Sequence, residues 1–304
     1  VTAVLEVPDA ATATPAHLPN VSKVTAPRVG TGDLRRAFRR GLLLLGLFVG
    51  GFLLYLFGVS TLIHARAQTG LERRFQSELA NAAAPVNQPV AIGAPIAVLE
   101  IPDLGLHEVV IEGSTSTQLA KGPGHLRTSA LPGQPGTSIV LCRRAAFSGP
   151  CGDLDALAPG DAINITTGQG VVGFRVAESR VYAASDARAF EGRGHSLVLV
   201  TMDTPYFGGR RLVIVAEPVG ELQARGTRTP AAPLSADELG LAGDRAGAAL
   251  LLVWLEVLAL VAAAVVVLFR RWRRGSAYLI ALPPLVASTW LVYEQLARLL
   301  PGTL

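Results

Sequence analysis

Three long apolar stretches and a set of short ones divide this chain of 304 residues. Residues 41–63 contain no charged side chain. At 1.5 Å per residue such a run reaches about 34 Å, enough to cross a bilayer core with some tilt. Residues 246–269 and 277–297 form two further apolar runs, each with one acidic residue, Glu256 and Glu294. The pattern predicts three transmembrane helices. Between the first and second runs the periodicity changes. Short β-branched or apolar segments at 96–101, 108–111, 138–141, 162–166, 173–176, 196–201 and 212–216 alternate with turns such as Gly122-Pro123-Gly124, Leu131-Pro132-Gly133 and Ala158-Pro159-Gly160. Many short strands at this spacing predict an all-β barrel or sandwich over 92–218. Residues 1–40 read as a flexible tail and 64–91 as a linker, with helical spacing at Leu71, Phe75 and Leu79. Residues 219–245, rich in Pro, Ala and Arg, read as a tether back to the membrane.

Charge gives these helices a direction. Charged residues make up only 16% of the chain and hydrophobic ones 50%, with a mean hydropathy of +0.41. That composition excludes a disordered chain and agrees with membrane spans. The net charge is +4, and only Lys23 and Lys121 are lysines. The arginines bracket the apolar runs: Arg35, Arg36, Arg39 and Arg40 before the first, and Arg270, Arg271, Arg273 and Arg274 between the second and third. Positive charge marks cytoplasmic flanks. The expected topology is therefore in, out, in, out, with residues 1–40 and 270–276 cytoplasmic and 64–245 extracytoplasmic. Trp272, Tyr278, Trp290 and Tyr293 near span ends suit interfacial anchoring. The basic pI of 9.4 reports this topology rather than a nucleic-acid surface. The chain opens at Val1 and its single methionine is Met202, so its N-terminus is expected to be trimmed or incompletely read.

Two features carry chemistry by themselves. Glu256 lies inside the second span, where an ionisable group calls for a partner or water, and a helix–helix or subunit contact is its expected role. Cys142 and Cys151 both fall in the extracytoplasmic segment. An oxidising compartment permits a disulfide between them; two free thiols, or one reactive thiol, are the alternatives.

In order along the chain come Leu99-Glu100-Ile101-Pro102, Ile111-Glu112-Gly113, Lys121-Gly122-Pro123-Gly124-His125, Leu131-Pro132-Gly133-Gln134-Pro135-Gly136, Gly152-Asp153-Leu154, Leu197-Val198-Leu199-Val200-Thr201 and Arg211-Leu212-Val213-Ile214-Val215-Ala216. In this order and spacing the run from Leu99 to Pro218 resembles the sortase family, particularly the actinobacterial class E type. The resemblance implies a sortase-like barrel, and together with the three apolar runs the expected fold is an all-β sortase-like barrel domain plus three transmembrane α-helices. The resemblance also implies transpeptidase machinery: a cysteine that attacks a sorting-signal peptide bond, a histidine that handles protons, and an arginine that positions substrate or stabilises the oxyanion. A thiolate nucleophile forms a thioacyl intermediate, and an acid/base group serves the leaving amine. In register, Met202 stands at the cysteine position and Arg143 at the histidine position, while Arg211 keeps the arginine, with Arg210 as a one-residue register alternative. A thioether has no ionisable proton, and a guanidinium stays protonated at ordinary pH.

The expectation is a catalytically degenerate, sortase-like pseudoenzyme whose vestigial cleft contains Arg143, Met202 and Arg211. It would sit in the plasma membrane with its barrel outside and serve as a binding or assembly subunit of a membrane or cell-envelope complex. The alternatives are a receptor that holds a peptide or cell-wall ligand in the vacated cleft, and a divergent transpeptidase or hydrolase. No cofactor, metal or nucleic-acid partner is expected.

Overall fold

The computed structural model describes residues 31–300 and 303, apart from positions 184, 193, 205–208, 228–232, 240–246 and 272–273. Most of the tail assigned to 1–40 and the anchor Trp272 therefore lie outside the described residues. The chain separates into two units, 1–47 and 48–304. Of the first, the described part is helical from Thr31 onward, so the helix starts ten residues before the apolar run does.

The first helix, α1, spans Thr31–Leu54, passes through one π-turn at Tyr55–Val59, and continues as α2 over Ser60–Ala80. The periodic stretch at Leu71–Leu79 is thus the distal part of a helix that continues from the apolar run, not a separate short helix in a linker. Phe75 is fully buried and packs with Val98 and Val109 of the barrel. The third α-helix, α3, is a single turn at Ser116–Leu119. Helices α4 (Gly247–Arg271) and α5 (Arg274–Leu299) close the chain. Among the described residues, three helices are long and apolar enough to cross a membrane, by length and composition.

Eight strands form a closed barrel in the order β1-β2-β3-β4-β7-β8-β6-β5. They are β1 (Pro95–Ile101), β2 (Leu106–Glu112), β3 (Gly124–His125), β4 (Thr137–Leu141), β5 (Ala162–Thr167), β6 (Gly170–Ala183), β7 (Ser196–Met202) and β8 (Arg210–Val219). Pairs β2–β3 and β4–β7 are parallel and the other six antiparallel. The two-residue β3 has no hydrophobic signature and reads as part of a turn. The fourteen-residue β6 is visible in the apolar pattern only at Gly173–Val176, because its second half faces solvent and carries Glu178, Ser179 and Arg180.

β7 explains itself most directly. All seven residues are buried, as its unbroken apolar run requires. Successive side chains point to opposite faces. Leu197 and Leu199 enter the barrel interior with Leu99, Ile101, Ile163, Ile165 and Ile214. Val198 and Val200 join an outer cluster with Ile139, Leu141, Val213 and Val215. That outer face is covered by the one-turn 3-10 helix Ala187–Phe190 and by Leu234.

Candidate functional site

The three cleft residues come from three strand ends. Met202 is the last residue of β7 and pairs directly with Arg211 on β8. Arg143 lies two residues beyond β4, whose Leu141 pairs with Val200 of β7. All three are buried: Met202 is 2% exposed, Arg143 1% and Arg211 5%. Yet they do not face one common space. Arg143 lines a cavity of about 260 Å³ between barrel and helices, together with Tyr55, Ser116, Phe147, Trp290 and Glu294. Arg211 lines a different groove with Ser129, Ile139, Phe190, Leu234 and Leu239. Met202 lines neither.

Arg143 is held by local contacts. Its Nη2 donates to the Ser116 carbonyl at 3.1 Å and to Ser116 Oγ at 2.8 Å. Its guanidinium carbon sits 4.6 Å from the centroid of the Phe147 ring. Nε and Nη1 are buried without a hydrogen-bond partner. Burial pushes its pKa down to about 9, since a low-dielectric surrounding disfavours the charged form. The group still carries its proton near neutral pH, so it offers positive charge and hydrogen-bond donors rather than proton transfer.

The loop after β4 explains this placement. Cys142 and Cys151 are joined, with Cα atoms 5.9 Å apart, and the Cys151 amide donates to the Arg143 carbonyl at 3.0 Å. Within the loop, Phe147, Ser148 and Gly149 adopt φ of 55°, 70° and 52°, a left-handed region costly for the first two. Gly149 is required there, because a Cβ would come 2.5 Å from the Arg144 carbonyl oxygen. This tight reversal pushes Ala146 and Phe147 out against Tyr55, Leu56, Tyr293 and Ala297 of the helices. The Phe147 amide donates to Ser60 Oγ at 3.2 Å. Arg144 secures the other side: its Nη1 donates to the Met202 carbonyl at 3.2 Å, and it pairs with Asp155 at 2.8 Å.

Around Arg211 the arrangement differs. Its guanidinium carbon lies 4.4 Å from the Phe190 ring centroid, and its Nη2 donates to the Leu239 carbonyl at 3.2 Å. Burial lowers its pKa. Residues 233–239 lie across this groove. Glu238 pairs with Arg127 at 2.5 Å and accepts from the Ser235 amide and hydroxyl, both at 2.8 Å. The Glu238 carbonyl accepts from Ser114 Oγ at 2.5 Å. The Arg127 guanidinium holds the Glu238 carboxyl down at about 2. The described part of the tether, residues 219–227 and 233–239, is therefore not a free spacer. Its earlier part is also fixed to the barrel, by bonds such as the Gln223 amide to the Gly133 carbonyl and the Gln88 amide to the Thr227 carbonyl. Sequence periodicity gives no sign of this, because the contacts are single polar bonds spread over more than a hundred residues.

Next to the groove, buried His125 bridges Glu112 through Nδ1 at 2.8 Å and faces the Ala130 carbonyl and Ser129 Oγ through Nε2 at 2.8 and 2.9 Å. Ser129 donates to the Leu126 carbonyl and accepts from the Ile139 amide. The serine proton is thus already committed, and Nε2 faces a carbonyl that only a donor satisfies. The cluster bolts β2, β3 and β4 together. His195 lies apart, its Nδ1 accepting from the Gly136 amide. Glu256 is exposed on α4. Among the described residues, no group of three or more His, Cys, Asp or Glu is placed to hold a metal.

The fold defines a closed, eight-stranded barrel with two parallel pairs, β2–β3 and β4–β7, and with its candidate site at the ends of β4, β7 and β8. Residues 99–219, about two-fifths of the chain, match the family model of the sortase domain. Solved structures similar to the chain include a sortase D5 transpeptidase of Clostridium perfringens, at 24% identity and a TM-score of 0.44, over 52% of this chain and 99% of that one. Sortase E from Streptomyces avermitilis is 27% identical with a TM-score of 0.39, over 43% and 91%. Sortase A from Corynebacterium diphtheriae is 20% identical with a TM-score of 0.40, over 52% and 86%. Among curated proteins nothing matches the chain.

Proposed function

We propose that this protein is a membrane-anchored sortase-domain pseudoenzyme that acts as a binding or assembly subunit of a membrane or cell-envelope complex. The carrying observation is the fate of Arg143. At the position where the family resemblance expects histidine, a buried guanidinium bonds Ser116 and packs on Phe147, in the corner where the barrel meets its own helices. The guanidinium is buried at the wall of the 260 Å³ cavity there, where it offers positive charge and hydrogen-bond donors but no proton carrier. Met202, at the nucleophile position, is buried and brings a thioether that cannot form a thioacyl enzyme.

The membrane part supports the assembly role. Glu256 is exposed on α4, about 14 Å along the axis from the helix start at 1.5 Å per residue. An ionisable group at that depth is expensive against lipid and is usually met by a partner. The arginine clusters before α1's apolar run and after α4 support an extracytoplasmic barrel.

The test has two arms, both on the full chain in mild detergent. Incubation with a sorting-signal peptide should give no thioacyl adduct by intact-mass measurement. Isolation from its native membrane should bring stoichiometric partners with it, and Glu256→Leu should release them. An adduct overturns the pseudoenzyme reading. Isolation of the protein alone overturns the assembly role.

A further inference from the structure

One wall of the groove beside Arg211 is formed by the chain itself, through Leu234 and Leu239. Seven residues, 233–239, make contacts of three kinds there. Leu234 packs onto the outer apolar cluster of β4, β7 and β8. The carbonyls of Pro233, Glu238 and Leu239 accept from Arg127, Ser114 and Arg211. The Glu238 carboxylate, 5% exposed, reaches Arg127 with both oxygens, at 2.5 and 3.0 Å. A buried carboxylate is costly unless it is paired and hydrogen-bonded. A segment whose only task is to span from β8 to α4 has no need to bury one. An apolar anchor, a paired acidic side chain and backbone carbonyls taken by fixed donors are how a groove holds a short peptide.

We propose that residues 233–239 are an internal ligand of this groove, exchangeable for a segment of a partner protein with the same chemistry: an acidic residue flanked by leucines. Arg127 selects the carboxylate, Ser114 and Arg211 hold the backbone, and the outer face of β4 and β7 takes the apolar side chain. A tethered segment competes at an effective concentration of about millimolar, so a partner needs either tight binding or a high local concentration. The inference rests on the binding role proposed above and names its ligand class.

The test uses the full chain in nanodiscs and a fluorescent peptide of residues 231–242, read by anisotropy. The wild type should bind it weakly. Glu238→Lys, which expels the internal segment from Arg127, should bind it at least tenfold more tightly. The double variant Glu238→Lys/Arg127→Glu should lose that gain and prefer a peptide carrying Lys at the Glu238 position. A merely structural ion pair does not produce this reversal. Equal binding by wild type and Glu238→Lys, or no binding by either, overturns the proposal. Hydrogen exchange provides a measurement free of mutation: saturating peptide should raise amide exchange at 234–239 in the wild type, and unchanged exchange overturns the proposal as well. A thioacyl adduct would defeat the pseudoenzyme reading while leaving these results intact, so the two failures are distinguishable.

Discussion

The Phe147 ring lies 4.6 Å from the guanidinium carbon of Arg143, and the same residue's amide donates to Ser60 on α2. One phenylalanine thus joins the position expected for the family's histidine to a helix long enough to enter the membrane. Its setting depends on the Cys142–Cys151 loop, which turns three consecutive residues through left-handed conformations. Loop, arginine and helices form one packed unit, and disturbing any of them should be felt by the others.

Removing the disulfide with Cys142→Ser/Cys151→Ser should destabilise the barrel by about 2–3 kcal/mol in the chain-entropy model for so short a loop. Non-reducing mass spectrometry of the wild type should show the Cys142–Cys151 link, and thermal melting compares the two proteins. Because the loop carries Phe147, the double variant should also gain protease sensitivity near residues 145–150. Unchanged melting together with unchanged protease resistance would refute the docking role.

Met202→Cys restores a thiol at the end of β7 but not a proton carrier at Arg143. We expect no detectable peptide cleavage or thioacyl adduct from this variant. Shortening a buried methionine should cost about 1–2 kcal/mol, less than truncation to alanine, and melting curves measure it. Turnover by Met202→Cys would show that another group serves as acid/base.

The Glu238 pairing gives the internal segment a defined pH response. Its folded pKa, about 2, lies below the usual glutamate value of about 4.3. A depressed folded pKa stabilises the bound form above the unfolded value, and this stabilisation is lost as pH falls through the folded one. Hydrogen exchange at 234–239 should therefore be flat from pH 7 to 5 after correction for intrinsic rates, and should rise between about pH 4 and 2. In Glu238→Gln that acid transition should disappear.

Topology is open to direct labelling. Single cysteines placed at 270–276, in a background lacking Cys142 and Cys151, should resist a membrane-impermeant thiol reagent in intact cells. Cysteines at exposed barrel positions such as Val171 should react. Labelling in the 270–276 loop would reverse the second pair of spans.

How much of this was legible in the sequence differs by element. The apolar runs announce three long helices, because a span needs about 20 continuous apolar residues whatever surrounds it. The barrel is equally readable where strands are buried: β7 is apolar from Leu197 to Val200 since both its faces are covered, with Leu197 and Leu199 in the interior cluster and Val198 and Val200 in the outer one. Legibility fades where burial is partial. β3 is two residues long, and half of β6 faces solvent, so neither carries a hydrophobic signal over its whole length. At the site, residue types alone place a thioether and a guanidinium where the family resemblance expects a thiol and an imidazole, since proton chemistry belongs to the side chain.

Only the tertiary structure decided where those side chains face. Met202 and Arg211 are opposite one another on β7 and β8, yet Arg143 lines the cavity against the helices and Arg211 the groove beneath residues 233–239. A tether rich in Pro, Ala and Arg looks like solvated spacer, and nothing in its periodicity marks Glu238 as buried. That burial arises from Arg127, 111 residues earlier in the chain, and from Ser114 beside it. Ion pairs and backbone hydrogen bonds of this kind need one partner each at the right distance, and closure of the barrel brings those partners together without leaving a repeating pattern in the sequence.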